Sequence, residues 1–142
     1  MIKLKRIYER PEVTDGLRIL VDRLWPRGVR RSTANVDIWI KEVGPSDDLR
    51  KWFAHEQKKF PQFKKRYLKE LSGNRAFGKL FDLVLTNDTV TLLFSASDVE
   101  HNNAVVLWGG ASGCAQKGGK EGREGQIRFV YGSKRGLCGR VE

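Results

Sequence analysis

The chain has 142 residues and a formal net charge of +10. This length is typical of one domain, which can bury roughly two-thirds of its unfolded surface without a disulfide or a metal. No run approaches the roughly 20 apolar residues of a membrane span, and the charged start is unlike a signal peptide, so we expect a cytoplasmic protein. Cys114 and Cys138 lack zinc-site spacing, and we expect no cofactor.

The first third of the chain predicts two strands. Residues 2–8 alternate apolar and basic side chains, a pattern typical of a strand with one exposed face. Residues 17–24 form a near-continuous apolar run, which indicates a strand covered on both faces. This second strand ends at Trp25–Gly28, where proline and glycine stop a hydrogen-bond ladder.

The middle of the chain is predicted to be helical. Apolar residues recur at helix spacing in four segments, which are residues 36–43, the segment that starts at Ser46, residues 61–71 and residues 77–85. Asn35 is the expected N-cap of the first helix and Gly44 its stop. Ser46 is the expected N-cap of the second, and the acidic residues after it favour the positive end of the helix dipole.

The order of elements favours a parallel sheet. Residues 90–94 predict a buried strand, followed by a helix near residues 99–108. Strands joined by helical crossovers indicate an α/β fold, a small layered domain with a short, mainly parallel sheet flanked by helices. Residues 109–142 hold ten of the fifteen glycines and predict a basic, flexible C-terminal tail with one short strand at 126–131.

The segment after the second strand is the first candidate site. Asp22, Arg23, Trp25 and Arg27 combine an acid, two guanidinium groups and an aromatic ring beyond a strand's carboxyl end, where ligands of open α/β sheets bind. Arginine's planar fork suits phosphate or carboxylate. The structural alternative is that Asp22 pairs with Arg23 or Arg27 while Trp25 covers the edge of the core.

The segment before the last helix is the second candidate site. Glu100, His101, Asn102 and Asn103 are expected in the first turn of that helix. His101 suits proton transfer near neutral pH, with Glu100 orienting it or acting as a base, and the two asparagines suit a polar ligand. The alternative is that Asp98 is only the N-cap and Glu100 only a favourable charge at the helix start.

Three segments together resemble a known family. VDRLWPRG at residues 21–28, PSDDLRKWF at 45–53 and EHNNA at 100–104 resemble the YeaO-like family, domain-of-unknown-function family 488. The resemblance covers residues 1–108 and implies a compact α/β domain without an established reaction. It also suggests that the first and last segments share one cleft, formed by Asp22, Arg23, Arg27, Glu100 and His101. The chain departs from the family pattern after Leu107.

These features support three hypotheses about function, and they leave open whether the protein is an enzyme and how it oligomerises. The first is binding or turnover of a small phosphate-like or nucleotide-like anion, with catalytic roles for Asp22, Glu100 and His101. The second is nucleic-acid binding through the basic segment 58–69 and the tail. The third is a non-catalytic interaction protein. His55, the other histidine, is expected to be a cation at a helix C-terminus.

Overall fold

The computed structural model describes residues 1–109 and the backbone of residues 129–131. The strands within these ranges are β1 (Ile2–Arg6), β2 (Leu17–Leu20), β3 (Ile38–Trp39), β4 (Val90–Phe94) and β5 (Phe129–Tyr131). The helices are α1 (Asp47–Phe53), α2 (Phe60–Ser72), α3 (Arg75–Thr86) and α4 (103–109). Single 3-10 turns form at Val13–Asp15, Lys41–Val43 and Gln57–Lys59.

All strand pairs are parallel, in the spatial order β3-β2-β4-β1-β5. Strand β4 lies between the first two strands of the chain, so that Leu92 is aligned with Leu4 on one side and with Ile19 on the other. All five residues of β4 are buried. These observations confirm the predicted α/β fold with a short parallel sheet.

The two faces of the sheet are covered differently. Alternate residues of the central strands, such as Leu4, Ile19 and Leu92, belong to a large apolar core together with side chains from all four helices. The opposite face carries a smaller cluster of Ile7, Leu20 and Leu93, packed against the segment between β2 and β3. None of the helices in the described ranges is both long enough and apolar enough to cross a membrane.

The predicted helix at residues 36–43 is wrong. Ile38 and Trp39 instead form β3 on the edge of the sheet, and the Ile40 N–H donates to the Leu20 carbonyl at 3.0 Å. Asn35 has a left-handed φ of 51° and is not an N-cap, because the chain continues from it into β3 and not into a helix; its carbonyl accepts from Arg18 Nε at 2.8 Å. The apolar residues that fit a helical stripe here also suit a short strand, and pairing with β2 decides between them.

The other predicted elements agree more closely with the structure. Ser46 caps α1 as expected, since its Oγ accepts from the Leu49 N–H at 3.2 Å. Helices α2 and α3 and strand β4 lie where the sequence places them, whereas β2 ends at Leu20 rather than at residue 24. Of the segment 109–142 predicted as a flexible tail, the structure describes only Gly109, at the end of α4, and β5, which pairs with β1 and lies within the short strand predicted at 126–131.

A buried ionic network is held at the start of β2. Asp15 is 1% exposed and its carboxylate accepts from Lys5 Nζ at 3.0 Å and from Arg18 Nη1. Burial raises the pKa of Asp15, but hydrogen bonds from the Glu12 backbone, Lys5 and Arg18 outweigh it, and the pKa is lowered overall. Thr91 Oγ1 donates to the Asp15 carbonyl at 2.6 Å, which ties this network to β4.

We expect Asp15→Asn to destabilise the fold by about 3–5 kcal/mol, because the buried Arg18 loses its carboxylate partner and the buried Lys5 keeps only the exposed Glu12. Since the pKa of Asp15 is lowered by folding, its contribution is present above the unfolded pKa of about 3.9 and is lost as the pH falls below it. Urea unfolding at neutral pH and at lower pH measures both effects. The exposed Glu56–Lys59 pair provides the control, and Glu56→Gln should cost at most about 1 kcal/mol. Equal losses in the two variants would contradict this prediction.

Candidate functional site

A cavity of about 370 Å³ lies beyond the carboxyl ends of β2 and β4. Its lining comes from residues 22–24 after β2, residues 95–96 after β4, residues 102–103 at the start of α4, and the end of α1, with Pro45 and Phe63. After β2 the chain continues to β3 on one side of the sheet, and after β4 it continues through α4 to β5 on the other. Such a divergence between neighbouring strands is where open α/β sheets bind ligands.

Asp22 connects the ends of the two central strands. Its Oδ2 accepts from the Ser95 N–H at 2.9 Å and from Ser95 Oγ at 2.6 Å. Burial raises the pKa of Asp22, and hydrogen bonds from Ser95 and Asn103 together with the charge of His55 only partly offset this. In the described part of the chain Asp22 forms no ion pair, so the structural alternative, in which it pairs with Arg23 or Arg27, is wrong.

Arg23 lines the cavity but uses much of its guanidinium elsewhere. Its Nε donates to the Pro45 carbonyl at 2.7 Å and its Nη2 to the Gly44 carbonyl at 3.1 Å. These bonds fix the segment that leads into α1. A side chain at Gly44 is excluded, because its Cβ would lie 2.8 Å from the backbone nitrogen of Arg23. Arg23 therefore positions one wall of the cavity.

The end of α1 supplies cavity residues that the sequence analysis did not assign to the site. Arg50, Lys51 and His55 all line the cavity. Arg50 Nη2 donates to Asp47 Oδ1 at 3.3 Å, whereas its buried Nε has no hydrogen-bond partner among the residues that the structure describes. The family-like segment 45–53 contains Arg50 and Lys51, so the sequence signal was present, but the order of residues does not show that α1 ends beside β2.

The backbone after α1 is strained where it reaches the cavity. Ala54 and His55 have left-handed φ values of 46° and 58°. Non-glycine residues in this region each cost on the order of 1–2 kcal/mol. The turn they make places the exposed His55 in the cavity wall, rather than leaving it as a C-terminal cation that faces only solvent.

The second candidate segment is a turn that precedes α4. Asp98 Oδ1 accepts from the backbone N–H groups of Glu100 and His101 at 3.0 and 3.1 Å. The helix begins only at residue 103, with Asn102 Oδ1 accepting from the Val105 N–H at 3.0 Å in the manner of an N-cap. The predicted helix start near residue 99, with Asp98 as its cap, is therefore wrong, because the buried Asn102 takes that role.

The members of this segment differ in how they relate to the cavity. Asn102 and Asn103 line it, although Asn102 Nδ2 also donates to the Asp98 carbonyl and Asn103 Nδ2 to the Val21 carbonyl. Glu100 and His101 are not among the lining residues. Glu100 is exposed, whereas the ring of His101 packs edge-on against the ring of Phe60, with the two ring centroids 5.1 Å apart.

His101 instead belongs to a small polar cluster around Asp98. The ring Nδ1 lies 3.0 Å from Asp98 Oδ2, and Gln57 Nε2 donates to the same oxygen at 2.9 Å. Although burial raises the pKa of Asp98, hydrogen bonds from Gln57, Glu100 and His101 lower it to about 2. This cluster joins the turn before α4 to the 3-10 turn before α2.

The remaining predicted residues of the first segment lie outside the cavity lining. Trp25 packs against Trp39 with ring centroids 5.4 Å apart, and its Nε1 donates to the Val29 carbonyl at 2.8 Å. Arg27 is exposed, and its carbonyl accepts from Tyr8 OH at 3.0 Å. The structure thus brings together Asp22, Arg23, Asn102 and Asn103 and leaves Trp25, Arg27, Glu100 and His101 outside the lining. Within the described residues no group of three or more His, Cys, Asp or Glu side chains is arranged to hold a metal ion.

Comparison with known proteins agrees with the resemblance of the three segments. The model of the inactive DUF488-N3 subclade matches residues 1–112. The chain belongs to the YeaO-like DUF488 family. It is 42% identical over 106 residues to the uncharacterised protein YeaO of Escherichia coli (strain K12), covering 75% of this chain and 92% of that protein. It is 38% identical over 106 residues to an uncharacterised protein of Mycobacterium tuberculosis (strain H37Rv), covering 75% and 89%. No solved structure matches the chain.

The raised pKa of Asp22 predicts a particular pH dependence of stability. A carboxyl whose pKa is raised by folding stabilises fully below the unfolded pKa of about 3.9, and this contribution is lost as the pH rises through the folded pKa. We therefore expect Asp22→Asn to gain stability relative to the unaltered protein as the pH increases from 4 to 7. Urea unfolding of both proteins across this range measures the difference.

Ser95→Ala is the companion variant for this measurement. Loss of the hydroxyl that donates to Asp22 removes a contact that favours the ionised carboxyl, so stability should fall more steeply with rising pH. A deficit of Asp22→Asn that stays constant with pH would contradict the prediction, since it would show that the charged form is not penalised by burial.

Proposed function

We propose that the cavity beyond β2 and β4 binds a small anionic ligand, such as a phosphate-bearing or nucleotide-like molecule. The observation that carries this proposal is that the basic side chains of Arg50, Lys51 and His55 line the same cavity. An anion bound among such groups accepts charge-assisted hydrogen bonds, which are roughly twice as strong as those between neutral groups. Guanidinium groups favour phosphate and carboxylate oxygens in this role.

The charges around Arg50 support the same ligand. Lys51 and His55 also line the cavity, and neither forms an ion pair within the described part of the chain. The cavity volume of about 370 Å³ lies within the roughly 300–1,000 Å³ of small-molecule sites. Asn102 and Asn103 add amide groups to the wall, and Phe53 and Phe63 add apolar surface.

Binding without turnover is the form of this function that we favour. The subclade whose model matches residues 1–112 is described as inactive. In addition, Glu100 and His101, which sequence reasoning proposed for proton transfer, do not line the cavity. Asp22 does line it, and we propose that it contacts the ligand.

The proposal predicts that Arg50→Gln weakens binding of ethyl phosphate by about tenfold or more, the effect of losing a hydrogen bond to a charged group. Titration followed by NMR chemical shifts, at constant ionic strength, measures the dissociation constants. Shifts should concentrate at residues 22–24, 50–51, 53–55 and 95–96, which line the cavity.

Arg27→Gln is the matched control, because Arg27 is exposed and lies outside the cavity lining. It should bind ethyl phosphate as the unaltered protein does. Equal affinity in the Arg50 and Arg27 variants, or the absence of any shift at the cavity residues, would overturn the proposed function.

Nucleic-acid binding is a second candidate, favoured by the basic surface of α2. Lys64, Lys65 and Lys69 are exposed there. The centroid of the Trp52 ring lies 5.2 Å from Lys59 Nζ and 4.2 Å from the guanidinium carbon of Arg66. Basic groups beside an aromatic ring suit a single-stranded polyanion.

For this second candidate we expect Lys64→Gln with Lys65→Gln to reduce affinity for single-stranded DNA and to flatten its salt dependence, because fewer counterions are released. Fluorescence anisotropy at several salt concentrations measures both quantities. Arg50→Gln should leave this affinity nearly unchanged. Absent or salt-insensitive binding would rule the candidate out.

A further inference from the structure

The cavity contains a carboxyl group as well as cations. Asp22 and Arg50 both line it, yet they form no ion pair with each other. A carboxylate beside a bound anion weakens binding by repulsion unless the ligand offers it a hydrogen-bond donor or a positive charge. A site for inorganic phosphate alone would gain nothing from this carboxyl.

The hydrogen bonds of Asp22 leave room for such a donor. A carboxylate has about four acceptor positions. Two are taken by the Ser95 N–H and hydroxyl, which both donate to Oδ2, whereas the side chain of Asn103 donates to the Val21 carbonyl. At least one acceptor position of this carboxyl therefore stays available, in the wall of the same cavity that Arg50 lines.

From this arrangement, and resting on the proposed function, we infer that the ligand is bipolar. One end is a phosphate or carboxylate held by Arg50 and Lys51, and the other is an N–H group that donates to Asp22. Apolar surface from Phe53 and Phe63 in the same cavity suits the carbon atoms that join the two ends. The molecule class is thus an amine or a nitrogen heterocycle that also carries an anionic group.

A paired set of probes tests this inference without any mutation. Each ω-aminoalkyl phosphate, with two to six carbons between the nitrogen and the phosphate oxygen, is compared with the alkyl phosphate of the same chain length. We expect at least one aminoalkyl phosphate to bind about tenfold more tightly than its partner, because it adds a hydrogen bond to a charged group. Guanosine monophosphate compared with ribose 5-phosphate provides the heterocyclic pair.

Asp22→Asn then assigns the preference to the carboxyl. In this variant the preference should fall to about twofold or less, while the alkyl phosphate binds at least as well as before, because a repulsive charge is lost. Retained alkyl phosphate binding also reports that the variant is folded. A preference for the heterocyclic pair alone would identify the donor as a ring or amino N–H of a base.

The outcomes separate this inference from the proposed function. If alkyl phosphates fail to bind at all, the proposed anion site is wrong. If they bind but neither probe pair shows a preference, or if the preference survives in Asp22→Asn, the anion site stands and the bipolar ligand is overturned.

Discussion

The architecture depends on the insertion of β4 between β1 and β2, the first two strands of the chain. Because β4 pairs in parallel with both β1 and β2, it has no exposed edge, and all five of its residues are buried. Residues 40–89, which connect β3 to β4, form turns and helices. Those helices belong to the layer that buries one face of the sheet. The same insertion makes the connections after β2 and β4 leave in opposite directions, which opens the cavity between them.

The carboxyl groups at the two ends of β2 differ in their ion pairs and in the direction of their pKa shifts. At the start of β2 the Asp15 carboxylate is matched by Lys5 and Arg18, and its pKa is lowered. At the carboxyl end Asp22 has hydrogen bonds but no ion pair within the described residues, and its pKa is raised by burial. Groups that are costly to ionise and that lie in a cleft are characteristic of binding and catalytic sites. The contrast assigns a structural role to the first end and a candidate binding role to the second.

The sequence predicts much of the layout because its strongest signals are local. The apolar run of β4, the Ser46 cap and the stripes of α2 and α3 each specify their own element, and parallel pairing follows from the crossovers. The helix predicted at residues 36–43 is wrong because a two-residue edge strand is specified by pairing with β2 rather than by its own periodicity. The start of α4 is misplaced because the sequence analysis considered only Asp98 as the cap, whereas the structure gives that role to the buried Asn102, whose Oδ1 accepts from the Val105 N–H.

The candidate site is less predictable from sequence, because it depends on distances between segments far apart in the chain. Asp22, Arg23, Asn102 and Asn103 line the cavity as their place after the strands suggests. Arg27 and His101 lie outside the lining because of the conformation of the turns that carry them, which the order of residues does not show. Arg50 lies on α1 and His55 on the left-handed turn after it, and both enter the wall because α1 lies beside the segment that follows β2, a tertiary arrangement that no short motif encodes.

The bonds from Arg23 to the Gly44 and Pro45 carbonyls have a consequence for how mutational data on this family are interpreted. When a substitution removes a guanidinium group from a cavity wall, weaker binding is readily interpreted as the loss of a ligand contact. Here its loss would also release the backbone that carries α1, and with it the position of Arg50. A substitution at Arg23 is therefore an ambiguous reporter, because displaced architecture and missing charge would give the same weakened binding.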